Sequence, residues 1–208
     1  MKLKDIIKFL NEKIPQNLAL SNDKVGLMDD YDLTQEIDSI KILMDFYPKD
    51  DNFGKNTLII THHPPLFIPK TPTFTIHSNW DIIEGGANEA LADSLNLNVI
   101  ESFDKSTNIG RICEANLTYC ELKNKILRKF NEYDIVNKPE KEKLIKKIAI
   151  VSGFGLKNPD CGLDVELPFS LLALSVISFL LLSFSYLSIS PIKLLFPAPV
   201  FPITKMFK

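Results

Sequence analysis

Two adjacent histidines, His62 and His63, close an apolar run in the segment LIITHHPP, residues 58–65. Imidazole is the commonest protein ligand for first-row divalent metals and the side chain best suited to moving protons near neutral pH. Neighbouring residues on an extended strand point to opposite faces, so both rings can meet one centre only beyond a strand end. Pro64 and Pro65 stop a strand ladder at that point. In a loop pinned this way the two rings can diverge toward neighbouring ions about 3.5–4 Å apart, the spacing of a dinuclear centre. The third histidine, His77, lies fourteen residues further on, and Asp81 follows it in HSNWD. Carboxylates bridge metal pairs, which makes Asp81 the nearest candidate partner. His77 then serves as a further ligand, or supports Asp81 or a bound water. A purely structural alternative stands beside this one: His77 and Asp81 also suit the turn before Ile82, where Asp commonly caps. Gly85-Gly86 reads as a loop needing positive φ before a helix, and it lacks the lysine and spacing of a phosphate-binding loop.

The elements that must position these residues alternate along the chain. Ile6, Ile7, Phe9, Leu10 and Ile14 recur at spacings near three and four, an amphipathic helix closed by Pro15. LALSNDKVGL is a polar turn between apolar flanks. IDSIKILMDF is ambiguous between helix and buried strand, whereas NTLIITHHPP is a short β-branched strand with both faces covered. A short strand at FTIH, a helix over Ala87 to Leu95, a strand at NVIESF, a helix starting near Leu117 or Thr118, and a buried strand IAIVSG complete the series. Strands alternating with helices give an α/β fold, a layered mixed sheet with flanking helices.

Composition narrows the function classes. A net charge of −2 and a pI near 5.9, with no long basic block, give no indication of nucleic acid as a partner. Cys113, Cys120 and Cys161 are odd in number and follow no zinc-ribbon spacing, as expected of buried or inert thiols in a reducing compartment. The start, MKLKDIIKFLNEKIP, has no uninterrupted apolar stretch, so a cytoplasmic protein is expected. Residues 1–160 read as one metal-binding α/β domain, and 161–208 as an aberrant apolar segment rich in Leu, Ser and Phe. From Leu167 onward there is no Asp or Glu, and the only charges are Lys193, Lys205 and Lys208. Leu167–Ile189 is long enough to span a bilayer. A membrane anchor, a buried core element and the product of a shifted reading frame are the three readings. Repeated serines make the run less apolar than a typical span, and the three readings stay open at this point.

Five blocks in order, ALSNDKVGL (19–27), LIITHHPPLF (58–67), HSNWDIIEGGANEALADSLNL (77–97), NIGRICEANLTYCELKNKI (108–126) and IKKIAIVSGFG (145–155), carry a family likeness. Over about residues 1–158 the chain resembles the Nif-three-like dinuclear metal proteins, catalogued as GTP cyclohydrolase I type 2 homologs. The resemblance implies a two-layer α/β fold of two related halves and a toroidal homohexamer with the metal pair facing an inner cavity. It implies His62, His63 and Asp81 as metal ligands. His77 matches a histidine that lines the site, and it is the candidate for proton transfer. In that family a histidine and a glutamate near the C-terminus complete the centre. Here no histidine follows His77 and no acid follows Glu166. The C-terminal part of the fold is therefore expected to be incomplete, with one divalent ion (zinc, iron or manganese), or none, in place of two. The function expected is that of a metal-dependent hydrolase acting on an unidentified small molecule, since no guanine-reading motif is visible. The alternative is a non-catalytic metal-binding assembly or regulatory protein.

Overall fold

The computed structural model describes residues 1–54, 56–130 and 144–152, with the strands Ser170–Ala173 and Lys193–Leu195. Chain contacts divide it into two compact units, Met1–Asn79 with Ser185–Lys208, and Trp80–Phe184. In chain order the first unit contains α1 (Leu3–Lys13), β1 (Gly26–Leu27), β2 (Ser39–Leu43), β3 (Thr57–Thr61) and β4 (Thr73–Thr75). After α2 (Ser78–Ile82), the second contains α3 (Ala87–Ser94), β5 (Asn98–Ser102), β6 (Arg111–Thr118), α4 (Tyr119–Lys129), β7 (Leu144–Val151) and β8 (Ser170–Ala173). Strand β9 (Lys193–Leu195) returns to the first unit. The α/β character expected from the alternating pattern is present in both.

In the first unit, α1 buries Leu3, Ile6 and Leu10, the stripe read from the sequence, and ends where the Ile14 amide donates to the Leu10 carbonyl just before Pro15. The sheet order is β1-β4-β3-β2-β9, with β9, β2, β3 and β4 mutually parallel and β1 antiparallel to β4. All of β3 is buried, as a strand of a parallel sheet covered on both faces is. The ambiguous segment IDSIKILMDF becomes strand β2: Ile40 and Ile42 are buried while Ser39, Lys41 and Leu43 are partly exposed, a period of two. Registers Leu43↔Thr61 and Thr61↔Thr75 bring the C-terminal ends of β2, β3 and β4 level with one another.

The second unit has sheet order β5-β6-β7-β8, antiparallel except for the parallel β7–β8 pair. Its core joins Leu91 and Leu95 of the α3 region, Cys113 of β6, Leu122 and Ile126 of α4, and Ile148 and Ile150 of β7. Strand β6 was not legible in the sequence, because Arg111 and Glu114 interrupt its apolar positions and a register shift falls between Glu114 and Leu117. Arg111 is buried there because its guanidinium donates to the Glu89 carboxylate at 3.1 Å and to the carbonyls of Asn108, Gly110 and Ile82 at 2.8, 2.9 and 2.8 Å. The two adjacent glycines act for different reasons. Gly85 has the expected positive φ of 73°, whereas a Cβ on Gly86 would lie 2.0 Å from the Trp80 carbonyl oxygen. Helix α4 opens on a capping box, Thr118 Oγ1 accepting from the Glu121 amide and Glu121 accepting from the Thr118 amide.

Most of 161–208, and the domain boundary expected near residue 160, lies outside the described residues. Its described parts, β8 and β9, each add a parallel strand to a sheet edge, β8 beside β7 and β9 beside β2. Among the described residues no helix is long and apolar enough to cross a membrane.

Replacing Ile60, 1% exposed at the middle of the β3 ladder, by alanine is expected to cost about 2–5 kcal/mol of unfolding free energy. Thr118→Ala is expected to cost about 1 kcal/mol, through the lost cap. Urea titration of the two variants checks the order of the effects. Burial pushes the Cys113 thiol up to about 11, while Cys120 is exposed. In the native protein at pH 8 iodoacetamide should therefore label Cys120 and spare Cys113 until denaturant is added, as read by peptide mass mapping.

Candidate metal centre

Each residue of the centre follows from where a strand stops. His62 and His63 succeed β3, His77 lies two residues past β4, and Asp45 lies two past β2. Because β2, β3 and β4 are parallel and in register, their C-terminal ends deliver these residues to one edge of the sheet. Open α/β sheets bind ligands at that edge. The antiparallel β1 starts at the same edge, Gly26 opposite Thr75, so Asp23 just before it arrives there too. The ladder continues briefly past the strand ends. The His62 and His63 amides donate to the carbonyls of Leu43 and Met44 at 3.0 and 2.9 Å, and the Ile76 amide donates to the Thr61 carbonyl at 2.9 Å. Beneath them the buried hydroxyls of Thr61 and Thr75 are hydrogen bonded at 2.7 Å. The backbones of His62 and His63 are therefore carried by the sheet and not by a loose loop, and His77 follows the last ladder bond directly.

The three rings converge. Their centroids are 5.0 Å apart for His62–His63, 4.9 Å for His62–His77 and 5.6 Å for His63–His77. One ring nitrogen from each lies within 4.8 Å of those from the other two. That is close to the span across a single ion, about 4.2 Å or twice a metal–nitrogen bond of about 2.1 Å.

Every Nδ1 has an oxygen acceptor. His62 Nδ1 donates to the Ile76 carbonyl at 3.1 Å, His63 Nδ1 to Asp45 Oδ1 at 2.8 Å, and His77 Nδ1 to Asp23 Oδ1 at 2.7 Å. Carbonyl and carboxylate oxygens only accept, so each Nδ1 carries the proton, and in the neutral ring the lone pair is on Nε2. This arrangement, one ring nitrogen tied to an oxygen and the other carrying the lone pair, is the one that metal-binding histidines adopt. The donor set thus fits a divalent ion. His62 is 7% exposed, and burial, reinforced by the neighbouring imidazoles of His77 and His63, pushes its pKa down to about 3. It is neutral at neutral pH and has no proton to lose on binding an ion. Burial acts to raise Asp23, but hydrogen bonds from Ser78 and His77 outweigh it and hold the carboxyl below the usual range.

Of the residues singled out from the sequence, His62, His63 and His77 come together. Asp81 lies in α2, on the part of the chain assigned to the second unit. There its carboxylate accepts from Ser152 Oγ at 3.2 Å. The amide of Asn88 bonds the Asp81 carbonyl through Nδ2 and the Ser152 amide through Oδ1, at 2.6 and 2.7 Å. The His77 amide is satisfied by Asn79 Oδ1 at 3.0 Å. Sequence reading missed Asp23 and Asp45. Both sit in plain view, one acid just outside an apolar stretch in SNDKVGL and in ILMDF, but only the sheet topology sets them behind histidines 54 and 18 residues away.

The profile of the DUF34/NIF3 family (NGG1p interacting factor 3) matches residues 1–73 and 70–158. A GTP cyclohydrolase 1 type 2 homolog of Methanothermobacter thermautotrophicus is 35% identical over 159 residues, 76% of this chain and 65% of that protein. One of Clostridium perfringens is 32% identical over 185 residues, 74% of this chain and 70% of its own. The match therefore spans about two thirds of the length of these relatives. Among solved structures, reduced HcgD from Methanocaldococcus jannaschii superposes with a TM-score of 0.70 at 23% identity, covering 90% of this chain and 84% of that one. A Bacillus cereus protein related to NIF3 gives 0.66 at 13% identity, with coverages of 90% and 86%. With the fold, the ordered sequence blocks and the profile in agreement, the chain belongs to the DUF34/NIF3 family.

Proposed function

We propose that this protein binds a divalent metal ion through His62, His63 and His77 and uses it in a hydrolytic reaction on a small molecule. The observation that carries the reading is the convergence of three imidazoles, each with its Nδ1 tied to an oxygen. A divalent ion held there supplies a Lewis acid and a means of acidifying water toward pH 7. The chain supplies the rest. His62 offers its lone pair from a dry, neutral ring. Asp45 and Asp23 place negative charge behind His63 and His77, which strengthens both rings as donors and offsets the charge of the ion. The cyclohydrolase name of the relatives supports the hydrolytic class without identifying a substrate. The cytoplasmic location and the homohexamer expected from the family belong to the same proposal. A native mass of six chains supports the hexamer, and a monomer counts against it.

Elemental analysis of the purified protein is expected to find one equivalent of zinc, iron or manganese, lost in His62→Ala and His63→Ala with the fold intact by circular dichroism. Two equivalents would restore the dinuclear centre of the family. Hydrolysis of phosphoesters or GTP by wild type and not by these variants supports the enzyme. Metal bound without turnover supports the second reading, a metal-binding regulatory or assembly protein.

The role of His77 is decided by its own variant. Loss of metal in His77→Ala assigns it as a ligand, the outcome expected here, whereas retained metal with lost turnover assigns it the proton-transfer role. Asp81→Asn tests the carboxylate that the family resemblance adds, with a fall in metal content as the supporting result.

A further inference from the structure

We propose that Asp23 is a positioning residue: held by Ser78, it fixes the ring orientation and tautomer of His77, the third imidazole of the centre. The inference rests on the reading that these imidazoles hold a divalent ion. His77 lies just beyond the last ladder bond, the Ile76 amide to the Thr61 carbonyl, so the sheet no longer constrains its side chain. Asp23 takes over that task. Its Oδ1 accepts from His77 Nδ1 at 2.7 Å, and its Oδ2 accepts from the Ser78 amide at 3.0 Å and from the Ser78 hydroxyl. With both oxygens engaged and the side chain only 12% exposed, the carboxylate cannot rotate without breaking several bonds at once.

Two further staples fix the distance between the segments. Ser78 Oγ accepts from the Leu20 amide at 2.9 Å, and the buried Asn79 Nδ2 donates to the carbonyls of Ile14 and Pro15 at 3.3 and 3.4 Å. Asn22, with a φ of 68° that asparagine tolerates, turns the chain immediately before Asp23. Asp45 behind His63 is differently placed. That pair is 45% and 44% exposed, so water competes for both groups, and a single hydrogen bond at 2.8 Å joins them. The two carboxylates are chemically alike, but only Asp23 is built in.

The test reads the imidazole nitrogens of metal-free protein by ¹⁵N-resolved NMR at mildly alkaline pH and titrates the same samples with Zn²⁺. In wild type, His77 should show the proton on Nδ1. Asp23→Ala should abolish that preference at His77, leave His62 unchanged, and weaken Zn²⁺ binding by about 10–100-fold. Asp45→Ala should weaken it less. Should Asp23→Ala fail to fold, Asp23→Asn, which keeps the size and one acceptor oxygen, is expected to shift the same signals in the same direction by a smaller amount. A folded Asp23 variant with an unchanged His77 tautomer and unchanged Zn²⁺ affinity overturns the proposal. Wild type that binds no Zn²⁺, with a His77 tautomer that still depends on Asp23, overturns the metal reading and leaves the positioning role standing.

Discussion

The parallel, in-register pairing of β2, β3 and β4 is the constraint on which the centre depends. Parallel strands joined in register end at the same level, and whatever follows each of them shares one sheet edge. Here those residues are Asp45, His62 with His63, and His77. A slip of one residue would exchange the faces of every side chain in the slipped strand. In β2 the buried side chains of Ile40 and Ile42 forbid such a slip, since it would bring the partly exposed Ser39, Lys41 and Leu43 into the interior. The same hydrophobic burial that makes the sheet therefore sets the spacing of the imidazoles.

Bringing three imidazoles together is electrostatically unfavourable if they are charged, and burial makes it more so. The structure answers with neutrality at the most buried ring, His62, and with acceptors at every Nδ1. Two of those acceptors are carboxylates, Asp45 and Asp23, so negative charge stands behind His63 and His77.

The second unit is organised around satisfied polar groups within an apolar core. Arg111 and Asn88 are both buried and both donate to backbone carbonyls, Arg111 also to the Glu89 carboxylate. Removing Asn88 would take a partner from the Asp81 carbonyl and from the Ser152 amide, and removing Arg111 would take one from the carbonyls of Asn108 and Ile82, a costlier loss than the missing bonds alone. These residues hold the segment that carries Asp81 and the glycine pair in a defined conformation.

The sequence by itself determined the α/β class, the helices α1, α3 and α4, the buried strands β3 and β7, and the three histidines as the chemically distinctive side chains. All of these are local signals of periodicity, caps, breakers and residue type. The family was legible as well, through five short blocks in order. The tertiary structure alone decided that IDSIKILMDF is a strand, that RICEANLT is one despite its charges, and that Asp23 and Asp45 stand behind His77 and His63. The reason is physical. Strand pairing and carboxylate–imidazole contacts join residues 18 to 54 positions apart. No local pattern records which distant segment will lie alongside, so the carboxylates that accept from His63 and His77 could not be read from the chain.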